Sequence, residues 1–216
     1  MTTFHIITIF PEMFTGYLGE SMLARAVKSK KIAVKIYNLR DFATDKHKQV
    51  DFKPYGGGPG MVFKPEPLVK AIEKIIKGKT KVKVVLFAPK GKDFTNPLAR
   101  TYAQKFDHIV LVAGRYEGID ARVKKIFKAE ELSIGPYVLT GGELPAMVVV
   151  DAVARQIKGV LGKEESLEES RPAGTEIYTR PEVLTYKGKN YRVPRVLLSG
   201  DHKKIEEWRI GKARKS

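Results

Sequence analysis

Apolar residues along this chain fall into two kinds of run, told apart by their spacing. His5–Phe10, Val82–Phe87 and His108–Ala113 are short, near-continuous apolar stretches, the pattern of strands covered on both faces. Ile32–Tyr37 alternates apolar and polar positions and reads as a further strand. Elsewhere the period becomes helical. Met13–Lys28 carries Leu18, Met22, Ala26 and Val27 at helical spacing, and Pro65–Ile76 sets Leu68, Ala71, Ile72 and Ile75 on one face behind prolines in its first turn. Thr95–Lys105 and Pro145–Ile157 complete the helical segments. Strands buried on both faces and alternating with helices predict a parallel α/β sheet. Arg40–Phe63 fits neither pattern. It is polar, glycine-rich and too long for a plain connector, and such loops are functional or disordered.

The pattern weakens toward the end of the chain. Lys163–Gly174 is a polar stretch with the look of a linker, and the residues beyond it form short, basic, mixed segments. This predicts a main domain over residues 1–160, a linker over 161–175 and a small basic unit over 176–216. An apolar content of 43% and a charged content of 30% suit a folded protein. The absence of cysteine excludes disulfides and thiolate chemistry. No apolar run reaches bilayer length, and Met1–Phe10 reads as a strand without a basic leader. A cytoplasmic protein is expected. The net charge of +16 points to a polyanionic partner. Its distribution strengthens that reading, since Lys187–Ser216 holds ten Lys or Arg against three Asp or Glu.

Three glycine-bearing loops carry the candidate chemistry: Tyr55–Met61, Gly114–Asp120, and Ser133–Gly135 onward through Gly141–Pro145. Pro89 and Gly91 directly follow one predicted strand and Gly114 another. In a parallel sheet, ligands bind beyond the carboxyl ends of the strands, so these loops are expected to line one crevice. Neither a dinucleotide fingerprint nor a phosphate-binding Walker loop is present. Arg115, Glu117 and Asp120 are candidates to pair with one another or with a helix N-terminus, and Asp151 and Arg155 have i, i+4 spacing. The four histidines show no metal-ligand spacing and are expected to be structural or exposed.

The segments Phe10–Phe14, Tyr55–Met61, Gly114–Asp120, Ser133–Met147, Tyr178–Glu182 and Leu197–His202 together closely resemble the bacterial tRNA (guanine-N1)-methyltransferase family, TrmD. The resemblance runs from the first strand to about Trp208. It implies a SPOUT-type α/β fold: a parallel sheet with a deep trefoil knot, plus a small, mostly helical C-terminal domain that binds tRNA. It implies a homodimer with its active site at the subunit interface, S-adenosylmethionine as methyl donor, and Mg2+. The implied product is 1-methylguanosine at tRNA position 37.

By position, the resemblance assigns the donor pocket to Leu86, Phe87, Ala88, Pro89, Gly91, Gly114, Tyr116, Glu117, Ser133, Ile134, Gly135, Pro136, Tyr137, Val138, Leu139, Gly141, Gly142 and Pro145. Tyr55, Gly56, Gly57, Gly58, Pro59 and Gly60 would seat the target guanine, and Glu117 would neighbour the metal. Arg155 falls on the family's catalytic arginine. The family's general-base aspartate, four positions after a serine, meets Ser170 here, so Glu169 and then Glu168 are the expected substitutes. That departure leaves a second reading, a tRNA- or S-adenosylmethionine-binding module impaired in catalysis. The linker is shorter than usual before Tyr178, Pro136 replaces an aspartate, and the C-terminal unit is shorter than the family's.

Overall fold

A computed structural model describes residues 1–161 and 176–213, with side chains in the last helix up to Ile210. The chain divides into two compact units, Met1–Glu164 and Glu165–Ser216. The first is built on a parallel sheet of five strands: β1 (Thr2–Thr8), β2 (Ile32–Asn38), β5 (Val82–Asp93), β6 (His108–Val112) and β7 (Glu130–Ser133). Their order across the sheet is β2-β1-β6-β5-β7, and every neighbouring pair is parallel. Alternation along each strand then splits the core into two layers. Phe4, Ile6, Val85 and Leu111 face one layer, which helices α2 (Ser21–Lys28), α4 (Asn96–Lys105) and α6 (Glu143–Arg155) complete through Leu23, Ala26, Ala99, Tyr102, Val149 and Val153. Ile7, Val84, Leu86, Val110 and Val112 face the other. There α3 (Pro65–Ile76) and α5 (Ala121–Phe127) bring Leu68, Ile72 and Val123. The predicted parallel α/β sheet is present.

Several details differ from the pattern reading. Met13–Lys28 is not one helix. A 3-10 turn at Pro11–Phe14 leads into the short α1 (Thr15–Leu18), which stops where the Gly19 amide bonds back to Thr15 O, and α2 comes next. The long loop is ordered in part by β3 (Asp51–Phe52) and β4 (Val62–Phe63), an antiparallel pair beside the buried Val50 and Phe63. Strand β7 is hidden in the sequence because Glu-Glu-Leu-Ser has one clearly apolar residue. Its carboxylates are neutralised along its length. Glu130 pairs with Lys83 and Lys92 and accepts from Tyr102 Oη at 2.8 Å, and Glu131 meets Lys124 Nζ at 2.6 Å. Helix α5 also lies outside the pattern reading. Asp120 caps it by accepting from the Arg122 amide, and Lys128 ends it in the left-handed region at φ 47°.

The second unit contains a hairpin, β8 (Val183–Tyr186) and β9 (Lys189–Arg192), with helices α7 (Arg195–Leu198) and α8 (His202–Ala213). Lys187 and Gly188 both have positive φ, 48° and 73°, as a tight two-residue hairpin turn demands. Tyr178 and Trp208 bring their rings to 6.4 Å. The expectation of a mostly helical unit thus omitted a strand pair. Among the described residues no helix is long and apolar enough to cross a membrane.

Candidate active site

The carboxyl ends of β5, β6 and β7 open into one cavity of about 370 Å³. That size suits a small organic ligand. Leu86–Pro89 forms its floor, the 114–121 loop one wall, and the 133–142 loop with Pro145 the other. The two walls are tied through main chain. Gly142 N donates to Gly114 O at 2.8 Å, and Arg115 and Gly141 form an antiparallel bridge. This closeness requires glycine, because a Cβ on Gly142 would lie 2.7 Å from Ala113 Cα. Tyr116 is held at φ 60°, a strained conformation for a residue with a side chain.

An ion pair, part-buried, joins one wall to the helix behind it. Glu143 opens α6 with 1% of its surface exposed. It accepts from Arg115 Nε at 2.9 Å and from Thr8 Oγ1 at 3.0 Å. Arg115 also lies 4.9 Å from the Phe10 ring centroid and donates to Thr140 O. One guanidinium therefore joins the end of β1, the 133–142 loop and the start of α6. Of the pairings left open by sequence, Arg115 takes neither Glu117 nor Asp120 but Glu143. Asp120 takes the helix N-terminus and Arg122, whose hydrogen bond holds the Asp120 carboxyl below its ordinary range.

The cavity brings together most of the expected donor residues: Leu86, Phe87, Ala88, Pro89, Gly114, Tyr116, Glu117, Ser133, Ile134, Gly135, Tyr137, Val138, Leu139, Gly141, Gly142 and Pro145 all line it. Gly91 and Pro136 do not. Gly91 lies instead in the irregular end of β5, where a Cβ would meet the Leu132 carbonyl carbon at 2.7 Å. Its glycine serves strand packing. Sequence reasoning missed Ala121, Lys124, Glu131 and Leu132 as lining residues, because they belong to α5 and β7, which lie outside the pattern reading.

The Tyr55–Gly60 loop stands apart from the cavity lining, and Tyr55 is fully exposed. Its C-terminal side is nevertheless knitted to the cavity wall. Glu117 N bonds to Met61 O, Phe63 N to Gly118 O, and Asp120 N to Phe63 O, at 2.9, 2.9 and 3.2 Å. At Gly60, φ is +76° and a Cβ would lie 2.6 Å from Glu117 Oε1. Arg155 is elsewhere. It ends α6, ten residues after the lining residue Pro145, which is about 15 Å of helix from the cavity rim. Glu168 and Glu169 fall outside the described residues. Among those described, no cluster of three metal-ligating side chains exists. Asp151 accepts from Tyr17 Oη at 2.7 Å.

A parallel α/β sheet with a loop-walled pocket over its carboxyl ends is the architecture of α/β proteins with a crevice at the strand ends. The family is more definite. The family model for tRNA (Guanine-1)-methyltransferase TrmD matches residues 2–216. A tRNA (guanine-N(1)-)-methyltransferase of Carboxydothermus hydrogenoformans is 48% identical over 94% of this chain and 79% of its own length. Proteins of the same name from Thermomicrobium roseum and Clostridioides difficile are 49% and 47% identical over 95% of this chain, and over 76% and 90% of their own lengths. The chain belongs to the tRNA (guanine-1)-methyltransferase TrmD family.

Proposed function

We propose that this chain is an S-adenosylmethionine-dependent tRNA methyltransferase that acts on N1 of guanine at position 37. The observation that carries the reading is the overlap between the cavity lining and the residues expected to hold the donor. The fit is one of shape and chemistry. Gly114, Gly141 and Gly142 line the cavity with main chain and are packed so closely that a Cβ on them would meet Ile119, Arg115 or Ala113, and exposed Tyr137, Val138 and Leu139 offer apolar surface for a purine. When bound, the donor supplies a methyl carbon on a positively charged sulfur, which departs as a neutral thioether.

The protein's residues must do the rest. Guanine N1 carries a proton and becomes nucleophilic only once a base removes it. Glu169, or Glu168 beside it, is proposed to take that proton. Arg155 is proposed to donate to O6, where negative charge gathers as the proton leaves. N1 then bonds to the methyl carbon as the carbon–sulfur bond breaks. The Tyr55–Gly60 loop is proposed to hold the flipped base; the segment just after it is anchored to the 117–120 wall through Met61 and Phe63.

Arg155 lies too far along α6 to serve its own cavity, which supports a homodimer in which each copy supplies Arg155 to the other's pocket. Exposed apolar Met13, Tyr17, Leu144 and Val148 offer a face for that pairing. Sedimentation equilibrium should give twice the chain mass, and a monomer that is fully active would refute the shared site. The return of the 133–142 loop to Gly114 supports the SPOUT knot. Pulling the chain from its ends should leave it shorter than its full contour; a fully extended chain would exclude the knot. Residues 161–175 are proposed as the linker and 176–216 as a tRNA-binding domain, in a cytoplasmic enzyme. Mg2+ is a weaker fit. Glu117 offers one carboxylate, and magnesium is held by one or two carboxylates plus substrate oxygens, so no step is derived through it.

The test is methyl transfer from labelled donor to tRNA with guanine at positions 36 and 37. Incorporation should vanish when guanine 37 is replaced, and Arg155→Ala should lower the rate about 10²–10³-fold. Methyl entering the altered tRNA would refute the site assignment. Ser170 at the aspartate position favours one rival, a module without catalysis. Donor binding with no turnover on any tRNA would support it.

A further inference from the structure

The β8/β9 hairpin has a face that stands open among the described residues. Its register pairs Leu184 with Tyr191 and Tyr186 with Lys189, which puts these four side chains on one side. Leu184, Tyr186 and Tyr191 are 56%, 58% and 50% exposed. Two aromatic rings and a leucine on an open strand pair are an unusual surface, since cross-strand aromatics ordinarily pack against a core. Cations accompany both rings. Lys187 Nζ lies 5.4 Å from the Tyr186 centroid, and Lys189 Nζ lies 5.6 Å from that of Tyr191. The tight Lys187-Gly188 turn holds the first of these beside its ring.

We infer that this face is an RNA-stacking surface, on which Tyr186 and Tyr191 take two unpaired bases while Lys187 and Lys189 move from the rings to the flanking phosphates. The inference rests on the proposed tRNA methyltransferase function and names the chain's own contact with the nucleic acid. Charge decides the occupant. Val183–Arg192 contains no Asp or Glu but has Lys187, Lys189 and Arg192, and Arg195 lies just beyond. A second copy of the same face would set these cations against their own kind. A polyanion with exposed π-faces matches both features at once, because base–aromatic stacking tolerates any sequence and phosphate contacts supply the rest. A looped RNA segment, whose bases are unstacked, is the form that fits.

The experiment compares full-length wild type, Tyr186→Ala/Tyr191→Ala, Tyr186→Phe/Tyr191→Phe and Lys187→Ala/Lys189→Ala. tRNA binding is followed by fluorescence anisotropy over a salt series, and donor binding by calorimetry. Losing a stack costs about five- to tenfold or more, so the alanine pair should weaken tRNA binding about 50-fold. The salt slope and donor affinity should be unchanged, and the phenylalanine pair should restore binding because it keeps both rings. The lysine pair should instead flatten the dependence of log affinity on log salt by about 1.4, the single-strand value for two phosphates. A wild type that methylates tRNA beside an alanine pair that binds it equally well overturns the surface and leaves the function standing. Loss of dimer mass with tRNA binding intact overturns it in favour of a subunit contact. A wild type that neither binds nor methylates tRNA overturns both.

Discussion

The centre of the sheet holds a titratable row whose effect on stability can be worked out. His5, on β1, is 1% exposed. Its Nδ1 lies 3.0 Å from Tyr37 Oη on β2, and its Nε2 lies 3.3 Å from His108 Nδ1 on β6. A neutral imidazole, with one nitrogen donating and one accepting, satisfies this row. Burial first, then the nearby His108, Lys79 and Lys35 charges, lower the His5 pKa from 6.5 to about 4. His108 is also lowered, chiefly by burial and Lys79. A group with a depressed pKa contributes stability above its unfolded value and loses it as pH falls through the folded one. The contribution is therefore complete above pH 6.5 and declines between 6.5 and about 4. At about 1.4 kcal/mol per pKa unit, the loss is about 3 kcal/mol. That is an upper value, because the partly exposed His108 lets solvent approach the Nε2 edge. Urea unfolding of wild type and His5→Gln at steps from about pH 7.5 to 4 is the assay. Glutamine keeps a donor and an acceptor for Tyr37 and His108 but does not titrate. Carboxylates held low in the fold, such as Glu130 and Asp120, act at lower pH in both proteins and cancel in the difference. Wild type should lose about 3 kcal/mol more than the variant across the window. Parallel curves would show that His5 is not held neutral by its surroundings.

The pocket and its loops set three more expectations. Gly142→Ala places a Cβ 2.7 Å from Ala113 Cα, so donor affinity by calorimetry should fall more than about tenfold; unchanged affinity would mean the wall can shift. Glu143→Gln removes the charge facing Arg115. Breaking a buried pair costs about 3 kcal/mol, and Tm should drop by roughly 6–12 °C; a shift under about 2 °C would put the pair effectively in water. Gly60→Ala forces a left-handed residue against Glu117, which also lines the cavity, so the rate on tRNA should fall about tenfold and further than donor affinity does. An equal loss of both would mean the loop and pocket are one unit.

The sheet was legible where strands are apolar on both faces, as in Val82–Phe87 and His108–Ala113. It was illegible where charge is neutralised in space. Glu130 and Glu131 disguise β7 as a loop because their partners Lys83, Lys92 and Lys124 lie far away in sequence or on another element. Strand ends marked the cavity in advance, since Gly114 and Pro89 directly follow apolar runs. The Arg115–Glu143 pair spans 28 positions, and no local pattern records it. Gly91 misled for a related reason. A glycine required by a neighbouring strand looks, in sequence, like one required by a ligand. Arg155 carries the opposite lesson, because its place at the far end of α6 is a matter of helix length.

A pocket walled by peptide groups has a pharmacological consequence. A drug seated against Gly114, Gly141 and Gly142 would leave a resistant lineage few substitutions to try, since any side chain at Gly142 collides with the main chain of Ala113. Tyr137, Val138 and Leu139 at the solvent-facing rim have the most room to change. Compounds that forgo contact with those three would be the hardest to evade.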